Sequence, residues 1–221
     1  MKSTNTANKT SEKIAEILLD IGAVLFTRNR PFRFTSGLLS PVYVDCRVII
    51  SHPKERKIVA NALVEKIKKE IGLPDVVAGI ATGGIAHAAL IADKLNLPMV
   101  FIRSKPKEHG KGNQVEGVLR RGQKVLIVED LVSAATSSEN AVRAVRKLGG
   151  VVTDEIAIYT HNLKVSDDYF KKAKVKFSYL TDTRQVAKQA VKKSFMKKEQ
   201  VKIIEVWVHD PKSWGKKMGF I

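Results

Sequence analysis

Between residues 76 and 160 the chain repeats one pattern: a short apolar run, a loop, then a helix-length stretch. VVAGI (76–80) leads through ATGG (81–84) into IAHAALIADKL, and MVFI (99–102) leads into a polar stretch from Arg103 to Gly122. KVLIVE (124–129) leads through DLVSAATSS into a segment with apolar positions at Ala141, Val142, Val145 and Leu148, and EIAIY (155–159) follows. Runs this short and this apolar suit strands buried on both faces, and strands alternating with helices pair in parallel through βαβ crossovers. The pattern predicts an α/β fold, an open, mostly parallel, twisted sheet flanked by helices. Ligands of such sheets collect outside the carboxyl ends of the strands. Three loops fall there: 81–84, 103–117 and 130–138.

The flanking segments carry weaker patterns. Residues 12–21 (EKIAEILLDI) show helical spacing at Ile14, Ile17, Leu18 and Ile21 before Gly22, which predicts a helix preceded by a frayed tail. Phe32/Phe34 and Val42/Val44 alternate on either side of a Ser-Gly-rich turn, as in a two-stranded hairpin. Pro53 opens a helix with an apolar stripe at Ile58, Val59, Ala62, Leu63, Ile67 and Ile71. Residues 163–221 read as short helices around one strand, KVKFSYL, ending in a Trp-containing tail. A length of 221 residues suits one decorated domain or two small ones.

With 44% hydrophobic and 28% charged residues the chain can bury a core, which excludes a disordered or fibrous protein. The single cysteine, Cys46, excludes an internal disulfide and a clustered thiolate metal site. No run of about 18 apolar residues is present to span a membrane, and MKSTNTANKTSEK lacks the apolar core of a signal peptide. A reducing compartment, the cytoplasm, is expected. The formal charge is +17, and residues 163–221 hold fifteen Lys+Arg against six Asp+Glu. These are mostly lysines, among them Lys171, Lys172, Lys192, Lys193, Lys197, Lys198, Lys216 and Lys217. Such a face suits either solvated helices or attraction of anions, phosphorylated metabolites or nucleic acid. Base readout favours bidentate Arg, Asn and Gln contacts, so sequence-specific nucleic-acid binding is not expected.

The segment VLIVEDLVSAATSS (125–138) carries the most chemistry. Adjacent carboxylates at a strand end, Glu129 and Asp130, can accept hydrogen bonds from vicinal ribose hydroxyls. Backbone N–H groups and the hydroxyls of Ser133, Thr136, Ser137 and Ser138 can surround a phosphate at a helix N-terminus. A plain strand-to-helix connection with a Ser or Thr cap and a solvated acidic pair would use the same residues. The loop after residue 102 crowds Arg103, Lys105, Lys107, His109 and Lys111 around Pro106, Gly110 and Gly112. Its like charges repel, which suits either a loop that closes over a polyanion such as pyrophosphate or an exposed basic loop without a role. His87, Cys46, Trp207 and Trp214 read first as packing groups; catalysis for His87 and base stacking for the tryptophans are the alternatives.

The 125–138 segment resembles the phosphoribosyl-diphosphate (PRPP) motif of type I phosphoribosyltransferases. Three further segments in register narrow the resemblance to the orotate phosphoribosyltransferase family. FTSGLLSPVYVD resembles that family's N-terminal hairpin, AGIATGGIAHAALIADKL its pyrophosphate-side loop and helix, and RSKPKEHGKGNQVEG its mobile catalytic loop. The match runs from about residue 12 through residue 148, and more weakly to the C-terminus.

The resemblance implies a type I phosphoribosyltransferase fold, with residues 1–50 forming a small hairpin hood over the base site and residues 51–221 forming the core and basic C-terminal helices. It implies transfer of 5-phosphoribosyl from PRPP to N1 of orotate, giving orotidine 5′-monophosphate and pyrophosphate in pyrimidine biosynthesis. PRPP-binding residues would be Arg103, Lys107, His109, Glu129, Asp130, Leu131, Val132, Ser133, Ala134, Ala135, Thr136 and Ser137. Lys107, His109 and Asp130 would be catalytic, and Ser133 would also touch orotate. Mg²⁺ would be held mainly by substrate oxygens, leaving no protein metal site. A homodimer would share the mobile loop across its interface. The alternatives are another base, against which the hairpin and the basic loop count, and a PRPP-sensing nucleic-acid-binding regulator, which has no need of Lys107 and His109. Three positions depart from the family pattern: Ala134-Ala135 replace the usual glycines, Tyr159-Thr160-His161 stands where many members place an arginine for the orotate carboxylate, and no lysine lies near Thr82-Gly83.

Overall fold

The protein is described by a computed structural model covering residues 2–27, 30–34, 37–106 and 113–220, with side chains from residue 8 onward. In chain order it begins with α1 (Lys2–Asp20), β1 (Val24–Phe26), β2 (Phe32–Arg33), β3 (Leu39–Ser40) and β4 (Val42–Val44). A 3₁₀ turn (Cys46–Ser51) leads to α2 (Pro53–Lys66), which widens into a π turn (Ile67–Ile71). Then follow β5 (Val76–Ile80), α3 (Gly83–Leu95), β6 (Met99–Ile102), β7 (Val115–Glu116), β8 (Lys124–Val132), α4 (Thr136–Lys147) and β9 (Val151–Thr160). The chain closes with α5 (Lys164–Ala173), β10 (Lys176–Asp182), α6 (Thr183–Lys192), α7 (Lys198–His209) and α8 (Pro211–Lys217).

The main sheet has six strands in the order β10-β9-β8-β5-β6-β7, all parallel except the short edge strand β7. Every residue of β5 is buried, as a strand covered on both faces requires. Side chains alternate between two cores. Val77, Leu126, Val128 and Ile156 face the layer of α1, α2, α3, α6 and α7. Val76, Ala78, Ile127 and Ala157 face α4 and α5. The chain leaves β5 for β6 on one side and returns to β8 on the other, so the switch in direction lies between the carboxyl ends of β5 and β8.

The α/β expectation holds, and three local expectations change. First, α1 starts at Lys2, where a frayed tail was expected, since residues 2–20 contain neither Gly nor Pro to break it. Second, Phe32-Arg33 pairs with Leu39-Ser40, and Val42–Val44 pairs antiparallel with Val24–Phe26, so the single expected hairpin is two small sheets. Pro41 has no N–H to donate, and it divides β3 from β4. Third, β8 continues three residues past Glu129, because its ladder to β9 runs on through Leu131–Tyr159 and Val132–Thr160.

The C-terminal helices hold the N-terminal segment in place. The buried Trp207 indole N–H donates to the Leu39 carbonyl at 2.8 Å, joining α7 to β3. Its ring meets Phe34 and His161 edge-on, with centroids 6.4 and 4.9 Å away. Trp214 is buried beside Phe220, so both tryptophans pack. The eight lysines named above are exposed. Replacing the indole by Trp207→Phe leaves the Leu39 carbonyl unpaired in the interior, and about 1–3 kcal/mol of stability should be lost in urea unfolding.

Candidate active site

A cleft of 440 Å³ opens beyond the carboxyl end of β8. One wall comes from the small sheets: Arg33, Phe34, Tyr43 and Val44. The other is the connection from β8 to α4, from Leu131 through Ser138, with Glu129 and His161 beside it. Once the ladder to β9 ends at Val132, Ala135 takes the left-handed conformation (φ 60°, ψ 19°) and α4 starts at Thr136. The first intrahelical bond runs from Glu139 N–H to the Ala135 carbonyl, so the preceding amides have no helical acceptor. Unpaired amides, the hydroxyls of Thr136 and Ser137, and the positive end of the helix make an anion site.

Successive residues of a strand face opposite ways. Glu129 therefore lines the cleft, whereas the Asp130 carboxylate lies on the α3 side, against Gly83. A Cβ on Gly83 would collide with that carboxylate, and a Cβ on Gly84 would collide with the Val128 carbonyl. The peptide between Ala81 and Thr82 is cis. On the next strand, Arg103 N–H donates to the Gln114 carbonyl at 2.8 Å, and Gln114 Nε2 donates back to the Arg103 carbonyl at 3.0 Å. These bonds pin the base of the basic loop, and Arg103 Nη1 lies 3.7 Å from Glu116. Lys107 and His109 lie outside the described residues.

Burial dominates the electrostatics. Desolvation, then the neighbouring Asp130 charge, pushes the Glu129 carboxyl well above the usual range; Glu129 accepts the Asp130 amide at 3.0 Å. Behind the α4 N-terminus, desolvation raises the fully buried Glu155 to about 8, opposed by a 2.6 Å hydrogen bond from the Ser138 hydroxyl. His161 is pushed down to about 3 by burial and is neutral; its Nδ1 shares the Thr183 hydroxyl (3.0 Å) with the Tyr159 hydroxyl (2.8 Å). Burial lowers His87 despite the nearby Asp130 charge, and burial and three acidic neighbours hold the Cys46 thiol protonated and inert. Among the described residues no group of three His, Cys, Asp or Glu could hold a metal ion, and no helix is long and apolar enough to cross a membrane.

A cleft with the α4 N-terminus on one wall and Phe34 and Tyr43 on the other can be set beside known proteins. Residues 49–204 match the family model described as a phosphoribosyl transferase domain. An orotate phosphoribosyltransferase from Listeria innocua is 43% identical over 205 residues, covering 93% of this chain and 98% of that protein. One from Bacillus subtilis is 41% identical over 206 residues, covering 92% and 95%. The chain belongs to the orotate phosphoribosyltransferase family. The crystal structure of the orotate phosphoribosyltransferase from Aeropyrum pernix superposes with a TM-score of 0.72 at 26% identity, over 80% of this chain and 97% of that one.

Of the positions that the family resemblance singled out, Glu129 and Leu131, Val132, Ser133, Ala134, Ala135, Thr136 and Ser137 converge on the cleft. Asp130, next to Glu129 in β8, and Arg103, just past the end of β6, lie outside its lining. Sequence reasoning named neither Arg33, Tyr43 nor Glu155 as part of the site. The first two lie in the alternating segments already visible as strands, but only the packing of those strands turns them to the cleft. Glu155 carried no signal beyond a charge inside an apolar run.

Glu155 has a pH signature. From its ordinary 4.5 up to about 8 the folded protein keeps a proton that the unfolded chain has released. Stability contributed by this group therefore falls as pH rises through that window, by about 1.4 kcal/mol per pH unit, and is level outside it. Glu155→Gln removes the titration. Paired urea denaturations should show the variant gaining on the parent protein steadily from pH 5 to pH 8, with titrations common to both cancelling.

Proposed function

We propose that the protein transfers the 5-phosphoribosyl group of PRPP to N1 of orotate, releasing pyrophosphate and forming orotidine 5′-monophosphate for pyrimidine biosynthesis. The observation that carries this reading is the β8–α4 nest, which faces Phe34 and Tyr43 across one cleft in a chain of this family. The 5′-phosphate occupies residues 133–137, whose amides and hydroxyls match its oxygens. The ribose lies over the end of β8, where Glu129 and Asp130 reach its hydroxyls from two sides. The base enters between the small sheets and Leu131–Ser133, with Ser133 at its edge.

Breaking the C1–O bond leaves a ribosyl cation, so catalysis is mostly positioning and electrostatics. Asp130 places negative charge near the reacting carbon. Arg103, Lys107 and His109 receive the charge that grows on the departing pyrophosphate. Mg²⁺, when bound, would neutralise the diphosphate and would be held mainly by substrate oxygens. The basic loop, held at its base by Arg103 and Gln114, reaches the neighbouring subunit of a homodimer. The buried free thiol of Cys46 suits the reducing cytoplasm.

Purified protein with PRPP and Mg²⁺ should consume orotate and leave adenine, guanine and hypoxanthine untouched. Turnover of a purine without orotate would overturn the reading. Lys107→Ala and His109→Ala should each lower kcat by about 10²-fold or more, with the unfolding midpoint unchanged, because their contacts strengthen as pyrophosphate leaves. Equal losses of stability and rate would make the loop structural. Ala135→Gly should leave PRPP affinity unchanged or tighter by calorimetry, since glycine adopts a φ of 60° without the roughly 1 kcal/mol that a Cβ costs there.

A further inference from the structure

We propose that Arg33, on the hood strand β2, is the residue that recognises the carboxylate of the base and so selects orotate over a neutral pyrimidine. The proposal rests on the orotate reading above and adds a residue to it.

The argument is one of charge. Orotate differs from uracil by a carboxylate that stays ionised at neutral pH, and an ion drawn into a partly closed cleft needs a counter-charge. Four titratable residues line the cleft among those described: Arg33, Tyr43, Glu129 and His161, and a tyrosine, neutral or ionised, supplies no positive charge. Glu129 is an acid and cannot serve. His161 is held neutral by burial, and its Nδ1 is committed to Thr183. Arg33 remains. Arginine keeps its charge under all conditions and presents a planar fork that fits a carboxylate with two parallel hydrogen bonds.

Its surroundings leave it available. The side chain is exposed, no described carboxylate lies within 4 Å of it, and its only described hydrogen bond is a long one, 3.5 Å from Nη1 to the Gly37 carbonyl. Its backbone is held in place. Arg33 pairs with Leu39, whose carbonyl takes the Trp207 indole N–H, and the adjoining Phe34 ring stacks on His161 at 6.0 Å. A fixed backbone beneath a guanidinium without an ion-pair partner among the described residues is suited to discrimination, since only the side chain remains to be ordered when the anion arrives.

The test compares two bases. Arg33→Ala and Arg33→Lys are assayed with orotate as substrate, with uracil as a competitive inhibitor against orotate, and with PRPP varied separately. For Arg33→Ala the orotate KM should rise by about 10- to 100-fold, with the uracil inhibition constant, the PRPP KM and kcat at saturation all within about twofold of the parent values. Arg33→Lys should recover part of the loss, because it restores charge without the fork. An orotate KM changed by less than about threefold overturns the proposal. So does a parallel rise in the orotate KM and the uracil inhibition constant, or in the PRPP KM, which would mean that the hood had shifted. If the unaltered protein consumes no orotate, the functional reading fails as well; if it does and Arg33→Ala matches it, only the role of Arg33 is lost.

Discussion

The close approach of the α3 N-terminus to β8 governs the rest of the site. Gly84 packs against the Val128 carbonyl and Gly83 against the Asp130 carboxylate, at separations that leave no room for a Cβ. That contact brings loop 81–84 alongside the end of β8, at the point where the sheet reverses its direction of winding. With α3 seated, β8 still has β9 to pair with and runs on to Val132. The alternation of a strand then sends Glu129 and Asp130 to opposite sides of one ridge, between the phosphate nest and the loops beyond β5 and β6.

The N-terminal wall of the cleft depends on a second, long-range device. Strands of two or three residues cannot hold themselves together in water. Those of the two small N-terminal sheets are secured by α7, through Trp207 to the Leu39 carbonyl and through the Phe34–His161–Trp207 ring cluster. Thr183, which shares its hydroxyl between Tyr159 and His161, ties the same cluster to α6. The basic C-terminal third therefore has a structural task apart from its charge: its apolar faces grip these sheets while its lysines remain in water.

Charge is distributed by the same packing. Burial suppresses ionisation of Glu129 and Glu155 and keeps His161 neutral, so the interior behind the nest carries less charge than the residue types suggest. The exposed cation of the cleft is Arg33, whereas Arg103 is half-buried outside the lining with its Nη1 3.7 Å from Glu116. An anionic substrate thus meets positive charge at the entrance and neutral donors within, which suits attraction without a trap.

The sequence by itself determined the alternation of strands and helices, the parallel sheet and the loops that could carry a site. These follow from local periodicity and from the handful of residues that start or stop an element, such as Pro53 and Gly22. It also marked residues 129–138 as the place where carboxylates and hydroxyls meet a helix N-terminus. The tertiary structure alone decided how the N-terminal strands pair, because segments of two or three residues carry too little periodicity to choose a partner. It alone decided that β8 outruns the acidic pair, since that depends on how far β9 extends alongside. Arg33, Glu155 and His161 acquire their parts in the same way. Whether a charged or polar side chain faces water, a cleft or the interior is settled by packing between separate elements, from 17 positions apart for Ser138 and Glu155 to 168 for Leu39 and Trp207, which local periodicity does not encode.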